Sequence, residues 1–305
     1  MNSSSKLWDK YTAQEFGNIN DEFLADFRAP GSANKFVAWD PYERSTRYLK
    51  FLLLAVIQKQ SEDFFDVYRQ ISNCNFGNPL SIKYRGLSIN SDYLAAVEEW
   101  LFMREFGKLN DATNVVEIGA GFGRTCHTIL TLCPNVKDYA IVDLDPMLNL
   151  SRHYLQKVAP HLLYRVRFIS SNDLAAQESL SPDLAINIDS FQEMPPSVID
   201  GYMQRIIVKA ANFFIKNPVG KYLPQTVGLP PLGPEQALDV FKLGRCTDVI
   251  DIFDEEALQE ARIHYLNAYF PALNSLNRQR YEVAGTKPMD LFPYFHLAMY
   301  KRDPD

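Results

Sequence analysis

The stretch Val116-Glu-Ile-Gly-Ala-Gly-Phe-Gly-Arg124 sets glycines at 119, 121 and 123 between an apolar run and an amphipathic one. Glycines at a strand-to-helix turn allow a tight backbone and let a ligand approach main-chain atoms where a Cβ would collide. The dinucleotide pattern G-x-G-x-x-G counted from Gly119 asks for Gly or Ala at position 124, where helix and strand pack closely; Arg124 stands there and disfavours a nicotinamide cofactor. No G-x-x-x-x-G-K-[ST] stretch occurs, which removes the usual nucleoside triphosphate loop. Downstream, Asp143 closes the run Tyr139-Ala-Ile-Val-Asp. A carboxylate at a strand end can accept hydrogen bonds from both hydroxyls of a ribose. Asp145 competes for that role, but its place before Pro146 suits a helix cap, so Asp143 is favoured. Further on, Ser170-Ser-Asn-Asp173 and Asn187-Ile-Asp-Ser-Phe-Gln-Glu193 end two more runs in polar groups. Capping of the following helix explains the first of these equally well.

Such residues act only if strands carry them to one edge. From about residue 111, short apolar runs alternate with amphipathic stretches: 114–118, 138–143, 165–169, 183–188 and 211–217, with helical patterns near 123–132, 147–158 and 196–210. Repeated strand-helix units predict an α/β fold, a doubly wound Rossmann-like sheet whose ligand site lies at the carboxyl ends of the strands. A helix around 254–268 and two strand candidates, 278–283 and 294–300, follow, the latter pairing antiparallel at one edge. Residues 1–110 read as an N-terminal helical cap, with helices over 40–57, from Ser61 and from Ser91 or Asp92, the last carrying Leu94, Val97, Leu101 and Phe102 on one face. Residues 74–90 read as a loop or short hairpin. The expected division is therefore a cap over 1–110 and a sheet domain over 111–305, with a Pro-rich lid loop near 218–234.

The pattern E-x-G-x-G-x-G from Glu117 to Gly123 resembles the first motif of class I S-adenosylmethionine-dependent methyltransferases. Together with Ile141-Val-Asp-Leu, the Asn187–Met194 strand end and Phe213-Phe-Ile-Lys-Asn217, the chain resembles the bacterial sugar O-methyltransferases over about residues 80–300, most specifically 114–217. The resemblance implies S-adenosyl-L-methionine as cofactor and a small-molecule acceptor. It places Glu117, Gly119, Gly121, Asp143 and Asn187 on the cofactor side, Asn172 and Asp173 at the adenine edge, and Asp189, Ser190, Gln192 and Glu193 toward the acceptor. Methyl transfer to an alcohol benefits from a general base. The candidates are Glu193, Asp189, His127, His264 and His296, of which Glu193 and Asp189 have the best position and His296 is retained among the catalytic set. Tyrosines 265, 269, 281, 294 and 300 could stack on a sugar or simply pack in the core. The acidic residues do not form a second pair at metal spacing, and no metal is assigned.

Composition narrows the classes. A chain of 305 residues with 31 Lys and Arg against 37 Asp and Glu has a net charge of −6, a poor partner for a phosphate backbone, so no nucleic acid is expected. The longest apolar run, Phe51–Ile57, falls far short of a bilayer span, and the first residues lack the apolar core of a secretory signal, so no membrane and a cytoplasmic site are expected. Cys74, Cys126, Cys133 and Cys246 form no Cys-x-x-Cys pair and read as reduced thiols. A homodimer is the base-rate expectation for association. Other readings remain open: an N- or carboxyl-methyltransferase of another small molecule, a cofactor-binding partner subunit without catalysis, or a dehydrogenase.

Overall fold

The computed structural model describes residues 8–10, 12, 16–28, 46–107, 109–227, 229–233, 240–276 and 281–303. In chain order, the N-terminal third forms α1 (Asp21–Asp26), α2 (Thr46–Ile57), α3 (Glu62–Gln70), the hairpin β1 (Ser81–Tyr84) and β2 (Leu87–Asn90), and α4 (Ser91–Phe106). The expected first residues of the second helix, 40–45, lie outside the described residues. Ser61 and Asn90 cap α3 and α4 by accepting the Phe64 and Tyr93 N–H groups, satisfying donors that a helix start leaves open. The sequence suggests one apolar stripe on α4, yet ten of its sixteen residues are buried, Glu98 and Glu99 among them. The helix is enclosed because it packs against α3 and against two elements that follow, α5 (Arg124–Leu132) and the last strand of the chain.

Five parallel strands come next, β3 (Asn114–Ile118), β4 (Asp138–Asp143), β5 (Val166–Ser170), β6 (Leu184–Ile188) and β7 (Asn212–Pro218), alternating with α5, α6 (Asp145–Val158), α7 (Leu174–Glu178) and α8 (Pro196–Arg205). Then α9 (Glu255–Leu276) leads to β8 (Tyr281–Pro288) and β9 (Phe295–Arg302). The seven strands run in the order β5-β4-β3-β6-β7-β9-β8, with β9 antiparallel between β7 and β8. This is the expected mixed α/β, mostly parallel sheet, and strand order reverses beside β3, between β3 and β6. Every residue of β6 and β7 is buried, as strands covered on both faces require.

Alternation along β9 shows the two covers. Met299 reaches Gly107 just behind α4, whereas the His296 ring stands edge-on to Tyr265 of α9 and the Tyr300 hydroxyl donates to the Leu266 carbonyl. Two boundaries differ from the sequence reading. The helix expected over 254–268 continues to Leu276, and the penultimate strand, expected over 278–283, occupies Tyr281–Pro288 because it pairs along β9 with a bulge between Val283 and Gly285. Among the described residues, no helix is long and apolar enough to cross a membrane.

Arg28, following α1, is buried. It donates through Nε and Nη2 to Asp92 at 3.0 and 2.8 Å, and further to Asn90 and to the carbonyls of Phe76 and Cys74. One guanidinium thus ties the segment before α2 to the start of α4. Removing one partner of such a pair leaves the other poorly solvated, so Arg28→Met should lower the unfolding free energy by about 3 kcal/mol in a urea titration. A loss below about 1 kcal/mol, the range of an exposed pair, would show that the anchor is dispensable.

Candidate active site

The first loop of the site is the turn between β3 and α5. Gly119, Gly121 and Gly123 all have positive φ, at 75°, 57° and 91°. The Gly119 N–H donates to the Val142 carbonyl at 2.9 Å, which fastens the turn to the end of β4. A Cβ on Gly119 would lie 2.2 Å from Ser190 Oγ, so this glycine lets the β3 turn and the loop after β6 touch. Asp143, ending β4, accepts the Gly121 N–H at 3.1 Å through Oδ2 and the Leu144 N–H at 2.8 Å through Oδ1. Burial pushes its carboxyl up to about 7, against the pull of these amide donors. Asp145 is exposed as the first residue of α6 and stays out of the cleft; Leu144, not Asp145, occupies the cap position. Glu117 lines the cleft wall but is buried, its Oε2 accepting the Tyr139 hydroxyl at 2.8 Å, and burial lifts its carboxyl to about 7.

The second loop follows β6 and is held from beneath. Asn187 donates to the Ile118 carbonyl and to Ser190 Oγ and accepts from Asn217, whose Oδ1 takes the Gln192 N–H. With its amide committed and its side chain fully buried, Asn187 does not line the cleft; it positions the loop, contrary to the cofactor contact expected of it. Asn172 and Asp173 also depart from expectation: both are exposed, Asp173 caps α7 by accepting the Ala176 N–H, and the cleft is lined instead by their buried neighbour Ser171. His296 is a third correction. It shares the α9 face of the sheet, bonds to Thr286 and does not line the cleft, while Phe295, one residue earlier and on the opposite face, does.

Asp189 and Glu193 both line the cleft. Asp189 has a φ of 62°, rare for a side-chain-bearing residue though least so for Asn and Asp, and its N–H donates to the Lys216 carbonyl at 2.7 Å. Its Oδ2 lies 3.2 Å from Lys216 Nζ, and Oδ1 is buried with no hydrogen-bond partner among the described residues. Lys216 also binds Glu99 of α4 at 2.7 Å, and Glu99 in turn pairs with Arg124 at 3.0 Å. Arg124, the residue that breaks the dinucleotide pattern, further donates to the Asp92 carbonyl at 2.7 Å. The sequence reading left Arg124 without a role and passed over Lys216 and Glu99. The available signal was charge inside apolar segments, a lysine ending Phe213-Phe-Ile and paired glutamates amid Ala-Ala-Val and Trp-Leu-Phe.

Glu193 Oε2 accepts the Trp8 indole N–H at 2.6 Å, so the N-terminal segment forms part of the wall, with Met194, Met289, Leu291, Phe292 and Phe295 as its apolar remainder. The five tyrosines considered for stacking are buried and line no part of the cleft. His127 is buried against the Tyr93 hydroxyl at 2.6 Å, and burial lowers its pKa to about 4; His264 is exposed beside Asp248. Residues 219–227 and 229–233 of the Pro-rich segment do not line the cleft, although Lys221 Nζ donates to the Gln192 carbonyl at its rim. Positions 228 and 234 lie outside the described residues. Among the described residues, no three His, Cys, Asp or Glu side chains converge to hold a metal ion.

No family model matches the chain and no curated protein does, so the resemblance to sugar O-methyltransferases remains one of motifs. Solved structures similar to this chain include methyltransferases. The methyltransferase domain of a bacterial CtHen1 is 12% identical over 67% of this chain and 97% of its own, with a TM-score of 0.43. A SAM-dependent methyltransferase from Aquifex aeolicus is 13% identical over 70% of this chain and 93% of its own, at 0.42. The mitomycin 7-O-methyltransferase MmcR is 12% identical over 92% of this chain and 74% of its own, at 0.44.

The contact between the two loops predicts a coupled pair. Gly119→Ala should destabilise the fold by about 2 kcal/mol, from strain and overlap with Ser190. Combined with Ser190→Gly, the loss should fall short of the sum of the two single losses by about 1 kcal/mol in thermal or urea unfolding. Strict additivity would mean that the loops do not touch.

Proposed function

We propose that the chain is a class I S-adenosylmethionine-dependent methyltransferase that methylates a hydroxyl group of a small molecule, a sugar or sugar-derived natural-product intermediate. The observation that carries this reading is the Asp143 carboxylate, set at the end of β4 beside the glycine turn and oriented by the Gly121 and Leu144 N–H groups. It stands next to the reversal in strand order, where open α/β sheets bind their ligands. The cradle fits such a cofactor: each oxygen of Asp143 keeps lone pairs for a ribose hydroxyl, and Gly119 and Gly121 present bare backbone. Ser171 offers a polar group beyond β5. When bound, the cofactor supplies a methyl group activated on a positively charged sulfur.

The chain's own residues then bind, orient and deprotonate the acceptor. Trp8, Phe292 and Phe295 give apolar faces suited to the C–H surface of a sugar ring and keep water from the reacting oxygen. Of the two cleft carboxylates, Glu193 is engaged by the Trp8 indole, which suits it to shape the wall. Asp189, at the end of β6, is the base: it takes the hydroxyl proton as the acceptor oxygen forms its new bond to carbon. The N-terminal region, 1–110, caps the cleft in this reading, supported by Trp8, Ser91, Asp92 and Ala95 in its lining.

Calorimetry with S-adenosylhomocysteine tests the cofactor half. The wild-type chain should bind, and Asp143→Ala should weaken binding about 100-fold, the loss of two hydrogen bonds to a charged group. Hydroxyl donors favour the ionised carboxylate, so affinity should fall as pH drops below about 7, by no more than the loss of about 100-fold in Asp143→Ala, and level off above it. No heat from the wild type, or full affinity in Asp143→Ala, overturns the reading. A mass gain of one methyl on a hydroxylated sugar tests the acceptor half, and methyl found on nitrogen or a carboxyl would replace that acceptor class.

A further inference from the structure

The cleft holds a cation that the reaction does not consume and that the fold buries at some cost. Lys216 is 2% exposed, on a strand whose other residues are all buried. An unpaired ammonium in such a place would lose its proton or its position. Its register fixes where it reaches: Lys216 pairs with Ile188 of β6, one residue before Asp189, and lies on the α4 face of the sheet, where Glu99 waits. The single ammonium therefore bridges two carboxylates, at 2.7 Å to Glu99 and 3.2 Å to Asp189. Glu99 has a second cation in Arg124, so it does not need Lys216 for itself alone.

Asp189 makes its direct ion pair with Lys216. Its Oδ1 is buried without a hydrogen-bond partner among the described residues, which favours the protonated acid, and burial raises its pKa above the ordinary carboxylate value. The charged and titratable groups around it are Lys216 on β7, Arg124 on α5, Glu99 on α4 and Tyr294 just before β9. Of these, Lys216 is the cation in direct contact.

We propose that Lys216 is a positioning residue for the reaction: anchored by Glu99, it holds the Asp189 carboxylate in place and ionised, so that Asp189 can accept the proton of the acceptor hydroxyl. The proposal rests on Asp189 as the base of a methyl transfer, and its test is independent of turnover. Lys216 touches neither the acceptor proton nor the methyl group; it acts through Asp189.

The experiment is a carbon-13 titration of the full chain with labelled aspartate carboxyls, the Asp189 resonance identified by its loss in Asp189→Asn. In Lys216→Met the Asp189 midpoint should rise by about 1 to 3 pH units, the range over which a neighbouring cation holds a carboxyl down. Lys216→Arg, which restores the charge, should leave it within about half a unit of wild type. An unmoved midpoint in folded Lys216→Met overturns the proposal. Should that variant not fold, Lys216→Gln, which removes the charge but keeps a polar end, takes its place: the Asp189 midpoint should again rise, and an unmoved midpoint overturns the proposal equally. S-adenosylhomocysteine binding by the wild type separates the two levels. Its absence removes the methyltransferase reading whatever the titration gives, and its presence with an unmoved midpoint removes only the role of Lys216.

Discussion

A chain of four charges, with Glu99 and Lys216 buried at its centre and Arg124 and Asp189 part-exposed at its ends, organises the upper edge of this molecule. Arg124, Glu99, Lys216 and Asp189 come from α5, α4, β7 and the loop after β6, and each contacts the next at 3.2 Å or less. Charge in a protein interior is tolerated only when opposite charge is close and geometry is held, because desolvation otherwise exceeds the attraction gained. The arrangement therefore constrains its neighbours. The helix α4 must lie against α5 and the sheet, the turn after β3 must deliver Arg124 at the first position of α5, and Asp189 must adopt a backbone conformation most residues avoid.

Around that cluster the two halves of the cleft are built by different physics. The half beside Asp143 is backbone: glycines with positive φ, amide N–H groups and one strand-end carboxylate. The half beside Asp189 is side chain: methionines, phenylalanines and a tryptophan, with two carboxylates set among them. Backbone recognition suits a ligand that never changes, whereas side chains can be exchanged without disturbing the sheet. The link between the halves is narrow, Ser190 lying where a Gly119 Cβ would be.

Much of this was legible in the sequence, and the failures have a common cause. The five parallel strands and the glycine turn follow from local pattern, since each depends on residues close in the chain. That Asp143 and Asp189 line the cleft follows from their places at strand ends, which is a local property. His296 was misassigned because facing the cleft or facing α9 depends on strand pairing, which local alternation does not reveal. Asn172 and Asp173 had the right loop, but the turn gives the cleft to Ser171 and spends Asp173 on the helix behind it. Lys216 and Glu99 were missed because a charge in an apolar run looks like an anomaly until its partner is known, and theirs are more than a hundred residues apart.

The hydrogen bond from Trp8 to Glu193 bears on how the site comes into being. The β3–β4, β4–β5 and β6–β7 pairs each join strands separated by one crossover helix, whereas β3 meets β6 only across two intervening strands. The cleft wall draws on Trp8 at one extreme and Phe295 at the other, so it can close only after almost the whole chain has been synthesised and the sheet is in place. Closure of the cleft wall thus comes late, and Met289, Phe292 and Phe295, which line it, stay exposed until then.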